Sequence, residues 1–245
     1  MLKYASLTTA ALALTVSGAF ADGLSLKDAP SAFAWGGMYI GGTVGYGWGG
    51  STHYWNNCDD GDVCQPGSTD GDHPATSNDP DGALLGVTLG YNYPINDKWI
   101  AGVEGDLSLA DISGNDGMRW GDGHRWHTGW NGLFTLRGRA GYEFNERTLF
   151  YGTAGLAAVQ SNEYNKGDQG DNNDQGADNT GWRWGYVVGL GVERAFTDRL
   201  TGKIEYLHVG LTDNDGHGIK NGGASVYKYE NDLDVLRVGV NYKLN

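Results

Sequence analysis

The sequence predicts an all-β chain: an eight-stranded antiparallel up-and-down transmembrane β-barrel. Three observations predict it. Eight segments of about ten residues alternate in polarity with the period of two that a strand imposes. The gaps between them alternate between long and short. One face of the segments is apolar, and the other carries acids and bases in equal number.

The chain begins with an address. Lys3 supplies a positive start, residues 5–16 are apolar, and Ala19-Phe20-Ala21 is a small-x-small cleavage site. This is a secretory signal peptide over residues 1–21, cleaved after Ala21. The apolar stretch is too short to cross a bilayer core of ~30 Å as a helix. Residues 22–36 then form a periplasmic N-terminal segment, and residues 37–245 the barrel.

Strands are predicted at 37–48, 82–93, 99–110, 130–144, 148–160, 182–196, 200–212 and 232–244. The second places Leu85, Val87, Leu89, Tyr91 and Tyr93 on one face and Leu84, Gly86, Thr88 and Asn92 on the other. The last sets Leu236, Val238, Val240 and Tyr242 against Arg237, Gly239, Asn241 and Lys243. Residues 94–98, 145–147 and 197–199 are tight turns. The gaps 49–81, 111–129, 161–181 and 213–231 are rich in Gly, Asp, Asn and Ser. A compact soluble domain rarely carries so many long loops, whereas a membrane barrel has short periplasmic turns and long outer loops by rule.

Charge decides which face is inside. Glu104, Asp106, Glu193 and Glu205 share the second face with Arg137, Arg139, Lys203 and Arg237. A charge facing mid-membrane lipid costs about 2–4 kcal/mol, so these eight belong inside as a connected ion-pair network. A soluble sandwich would reverse the faces. The aromatics argue against it, because they form two belts at the strand ends, as membrane interfaces favour. Trp48, Trp130, Trp182 and Trp184 mark the outer girdle. Tyr91, Tyr93, Trp99, Tyr142, Phe144 and Tyr242 mark the periplasmic one.

Composition agrees. Gly accounts for 42 of 245 residues, without the Gly-X-Y period of collagen. Aromatics at 12 % are too plentiful for a disordered chain. Thirty acids against seventeen bases exclude nucleic acid as a partner, since phosphate binding needs a basic face. Cys58 and Cys64, in a chain bound for an oxidising compartment, are expected to pair and to pin a loop tip.

The start Trp35-Gly36-Gly37-Met38-Tyr39-Ile40-Gly41 has the form W-x-G-x-Y-x-G. Val103-Glu104-Gly105-Asp106, Leu136-Arg137-Gly138-Arg139-Ala140-Gly141-Tyr142, Gly189-Leu190-Gly191-Val192-Glu193 and Lys203-Ile204-Glu205-Tyr206 follow in order. With these motifs the chain resembles the small eight-stranded outer-membrane β-barrels of Gram-negative bacteria. In particular it resembles the porin-like surface-antigen group, with its OmpA-type transmembrane barrel. The resemblance implies residence in the outer membrane. It also implies that the last strand, with Gly239, Tyr242 and Leu244, is read by the outer-membrane assembly machinery.

The expected function is that of a structural and surface-interaction protein displaying four acidic outer loops. A narrow porin-like channel is the first alternative. Eight strands leave an interior just filled by side chains, yet glycines at inward positions 41, 45, 86, 90, 189 and 191 would leave a thin water path. A lipid-modifying enzyme is the second alternative. It fares worse, because His53, His73, His124, His127 and His217 fall in loops, His208 lies near a strand end, and no nucleophile is tied to any of them. Neither a catalytic site nor a cofactor or protein-bound metal site is predicted. His124 and His127 have loose metal spacing without a third ligand. The expected partners are outer-membrane lipid and lipopolysaccharide. Divalent cations would be shared with its phosphates by Asp59, Asp60, Asp62, Asp70, Asp72, Asp79 and Asp81 and by the Asp171–Asp174 cluster.

Overall fold

The computed structural model describes residues 33–56, 73–115, 125–166, 178–212, 214–220 and 223–244. These residues form β1 (Gly37–Asn56), β2 (His73–Asn78), β3 (Asp81–Pro94), β4 (Trp99–Asn115) and β5 (Arg125–Asn145). They continue with β6 (Thr148–Lys166), β7 (Asp178–Ala195), β8 (Leu200–Leu211), β9 (Asn214–Lys220) and β10 (Gly223–Lys243). Each of β1, β3, β4, β5, β6, β7, β8 and β10 pairs antiparallel with the next, and β10 returns to β1, from Tyr39↔Lys243 to Asn56↔Val226. The result is a closed eight-stranded antiparallel barrel.

The strands begin and end at the short turns where the alternation says they should. At the other end they run further than expected: β5 starts at Arg125 and β10 at Gly223, and β6 continues to Lys166. Two further strands stand in the long gaps, β2 paired with β1 and β9 paired with β10. The period-two signal comes from one wet and one dry face. These extensions mix Gly, Asn, Ser and Thr with aromatic and charged residues in no steady alternation of polarity, so the pattern is silent there while the backbone ladder continues.

Side chains hold the tight turns. Asn96 Oδ1 accepts from the backbone N–H of Lys98 and Trp99, each at 3.0 Å. Asn145 Oδ1 accepts from Arg147 N at 3.0 Å, and Thr197 Oγ1 from Leu200 N at 3.0 Å. Such short polar side chains mimic a backbone turn and satisfy donors that the ladder leaves over.

The lumen is solid and layered. At the turn end Phe33 and Trp35 tuck inside the mouth and pack with Ile100, Leu149, Tyr151 and Ala195. Three hydrogen bonds seat them: Phe33 N to Glu146 O at 3.0 Å, Asn92 Nδ2 to Trp35 O at 3.2 Å, and Lys243 Nζ to Ala34 O at 2.7 Å. The chain leaves this stopper for β1 through Gly37, whose φ of 117° is closed to most side-chain-bearing residues. The middle layer is charged. Above it, toward the loops, Leu84, Ile112, Trp130, Leu133, Val159, Val187, Leu207, Val209, Leu233 and Val235 form an apolar cap. The inward glycines are seats rather than gaps. The Tyr39 ring lies where a side chain on Gly90 would be, and the Tyr151 ring does the same at Gly191. Asn241 and Arg237 fill the space facing Gly41 and Gly45, and Leu207 that facing Gly189.

Candidate functional site

The middle layer is built by parity. On each barrel strand the residues between the lipid-facing ones point inward. Val103, Leu136, Ile204 and Val238 are exposed, while Glu104, Asp106, Arg137, Arg139, Glu193, Lys203, Glu205 and Arg237 are at most 4 % exposed. Arg137 from β5 is the hub. Its Nη1 donates to Glu205 Oε1 at 3.0 Å and its Nη2 to Asp106 Oδ2 at 2.6 Å, and Nη2 also pairs with Glu104. Arg237 Nη2 reaches Glu205 Oε2 at 2.5 Å and Asp106 Oδ1 at 3.1 Å. Lys203 Nζ donates to Glu104 Oε2 at 2.9 Å, and Arg139 Nη2 to Glu193 Oε2 at 2.6 Å. Glu193 and Lys203 face each other across β7 and β8, yet each takes its partner from β5 or β4.

Neutral groups complete the network. Tyr39 OH donates to Glu104 at 2.7 Å, Thr88 and Thr135 donate to Asp106 at 2.6 and 2.9 Å, and Thr201 and Asn241 donate to Glu193 at 2.5 and 2.8 Å. The Arg139 guanidinium lies 3.9 Å from the Tyr151 ring centroid. All eight barrel strands thus contribute to one layer. Four acids meet four bases, so no net charge is stranded in a dry interior. Chemically the layer is a cross-brace.

The wall carries the aromatic belts. Trp48, Trp182 and Trp184 are exposed at the loop end, and Tyr91, Tyr93, Trp99, Phe144 and Tyr242 at the turn end. Trp99 and Tyr142 pack edge to face at 5.1 Å. Trp130 does not belong to the belt. It is 1 % exposed and lies in the apolar cap. The cause is a bulge: the β5–β6 register jumps between Trp130 and Gly132, leaving Asn131 as an extra residue. One added residue moves every side chain beyond it to the opposite face.

Register also assembles a cluster that no sequence motif signals. His208 on β8 faces Asp234 on β10, both on the outer wall. His208 Nδ1 lies 2.9 Å from Asp234 Oδ1, and Tyr206 OH donates to the same oxygen at 2.7 Å. Only the pairing register of β8 with β10 predicts this meeting. His127 is half-buried on β5, and Asp79 and Asp81 are exposed near the outer rim. His53, His73 and His217 lie on β1, β2 and β9. Cys58, Cys64, His124, Asp59, Asp60, Asp62, Asp70, Asp72, residues 171–174 and the signal stretch 1–21 lie outside the described residues. Among the described residues, no group of three or more His, Cys, Asp or Glu side chains could hold a metal ion.

A closed barrel with a braced charged interior, an apolar wall and two aromatic belts defines a transmembrane β-barrel of the bacterial outer-membrane class. Comparison with known proteins agrees. Residues 6–243 match the family model described as outer membrane protein beta-barrel domain, and the chain belongs to that family. It is 31 % identical over 230 residues to the 31 kDa outer-membrane immunogenic protein of Brucella melitensis biotype 1, covering 90 % of each chain. It is 30 % identical over 213 residues to the 25 kDa outer-membrane immunogenic protein of Brucella abortus biovar 1, covering 86 % of this chain and 80 % of that one. Among solved structures, OprG of Pseudomonas aeruginosa aligns at 13 % identity and a TM-score of 0.47, over 88 % of this chain and 100 % of that one.

Proposed function

We propose that the protein is a non-conducting structural and surface-interaction protein of the outer membrane, exported by a signal peptide removed after Ala21. The observation that carries this reading is the filled lumen. A stopper, a neutralised ion layer and an apolar cap lie in series along the lumen formed by the described residues. The long gaps between strands then face outward as acidic loops, in keeping with relatives named for their immunogenicity. On this reading Cys58 and Cys64 form a disulfide at the tip of the first loop, and the acidic loops share divalent cations with lipopolysaccharide phosphates. The terminal strand, with Tyr242 and Leu244 exposed, is the part offered to the assembly machinery.

Planar-bilayer recording tests the central statement. Folded protein is expected to give no conductance steps; steps of the size large porins give would overturn it. Calorimetry with Ca²⁺ tests the loops, and absence of heat at millimolar ion would remove the cation-sharing role. No enzymatic role is proposed.

A further inference from the structure

One pairing in the barrel wall is unlike the rest. The others join wall strands that follow one another in the chain, and the segment between two such strands keeps them close even when their ladder opens. The seam of β1 with β10 joins the first wall strand to the last and has no such connection. It is also poor in side-chain pairs. Gly41, Gly42, Gly45 and Gly47 stand opposite Asn241, Val240, Arg237 and Val235. A glycine supplies no cross-strand partner, and such partners are what stabilise one strand against the next. Held by its ladder alone, the seam is where a closed wall would open first.

Residues 33–37 lie across the end of this seam as a strap. It starts at the opposite wall, where Phe33 N donates to Glu146 O of the β5–β6 turn at 3.0 Å. The Phe33 and Trp35 rings pack edge to face, centroids 4.7 Å apart, against Ile100 of β4, Leu149 and Tyr151 of β6 and Ala195 of β7. At the seam, Ala34 O accepts from Lys243 Nζ of β10 at 2.7 Å, and Trp35 O from Asn92 Nδ2 of β3 at 3.2 Å. The same ammonium lies 5.7 Å from the Phe33 ring centroid. Gly37, with its φ of 117°, turns the strap into β1, and a Cβ on Gly36 would meet Pro94 Cδ at 3.0 Å. Both wall neighbours of β1 are thus tied to the segment that leads into it.

Opening the seam works against this strap whichever strand leaves. If β10 leaves, Lys243 gives up Ala34 and Phe33, and Leu244 N gives up Met38 O, to which it donates at 2.9 Å. If β1 leaves, it draws two buried aromatic rings into water. The seat itself is made by β3, β4, β6, β7 and β10 together, so it exists only in the closed wall. Contacts that form after the barrier slow unfolding and leave the rate of folding unchanged. We propose that residues 33–37 are a latch on the β1–β10 seam, seated after the wall has closed, which sets how slowly the closed barrel opens. Blocking the lumen needs only the two rings; the ties to Lys243 and Asn92 serve the seam.

Unfolding rates of the detergent-folded protein in urea test this, read as loss of the compact band on unheated gels. Cys58→Ser and Cys64→Ser are present throughout, so that only introduced thiols pair. Phe33→Ser with Trp35→Ser is expected to fold in unchanged yield and to open about ten-fold faster or more. Lys243→Met keeps both rings and should open about three-fold faster. The deciding arm closes the seam covalently. Val44 and Val238 face each other across it, and Val192 and Ile204 face each other between β7 and β8. With Val44→Cys and Val238→Cys oxidised, loss of the two rings should change the rate by less than about two-fold, and reduction should restore the full difference. With Val192→Cys and Ile204→Cys oxidised, the full difference should remain. An unaltered rate in Phe33→Ser with Trp35→Ser or in Lys243→Met would overturn the latch. Undiminished acceleration in the seam-linked protein would do the same, making the strap ordinary buried surface. Failure of the ring-less variant to fold would place the strap in assembly and overturn it as well.

Discussion

The middle and the upper layers of the lumen are lined by the same strands and obey opposite rules. In the middle, inward positions are charged and outward ones apolar, as with Arg237 beside Leu236 and Val238. Toward the loops the polarity inverts. Leu233 and Ile112 point in, while their neighbours Asp232 and Asp111 are exposed. The inversion sets in near Trp48, Trp182 and Trp184, where the wall passes from hydrocarbon to water. β4 and β10 thus read as membrane strands below that level and as soluble-barrel strands just above it. Solvent outside the wall, rather than the strand itself, decides which face is polar.

The largest effect is expected from removing the hub of the middle layer. Arg137→Met leaves Glu104, Asp106 and Glu205 short of a cation. It should cost about 3–5 kcal/mol in urea unfolding of the folded barrel, and a second change, Glu205→Gln, should return part of it. Leu207→Ala in the cap opens an apolar void at a cost of roughly 3 kcal/mol. Added salt should leave the ranking unchanged, because both sites are dry. A smaller contrast sets the inner surface against the outer. Gly90→Ala drives a methyl into the Tyr39 ring and should cost about 1–3 kcal/mol. Gly138→Ala meets only ordinary contacts on the lipid side and should stay within about 0.5 kcal/mol. Smallest is a spectroscopic difference: brominated lipid should quench Trp182 and Trp184 and spare Trp130, read in single-Trp variants. Quenching of Trp130 would return it to the outer girdle.

These contrasts also mark how far the sequence could be read. The lipid wall was legible because Leu85, Val87, Leu89 and Tyr91 alternate with small or polar residues, and period two is the signature of a wall with unlike sides. The inward facing of Glu104, Arg137 and Glu205 follows from the same parity. Their partners do not, because partnership depends on strand order and register around a closed sheet. Trp130 was misplaced because parity holds only until a bulge, and Asn131 carries no mark of being one. The cap was hidden where both faces are apolar, as at Val187 and Val188. The packing of Phe33 and Trp35 with Ile100, Leu149 and Tyr151 is not legible in the N-terminal segment, because two aromatics ahead of the first strand have no period at all.

The bond from Lys243 Nζ to Ala34 O spans 209 positions of the chain. Beside it, Leu244 N donates to Met38 O at 2.9 Å. The two ends of the barrel sequence are each other's neighbours, so the last strand must be in place before either contact exists. Until then the chain offers two bare strand edges and an unplugged mouth, the form of sheet most open to wrong partners. Sealing of the wall therefore also adds the last of the three bonds that hold the stopper. A chain lacking its final strand would be a different object for the cell's proteases, recognisable by open edges rather than by any lost side chain.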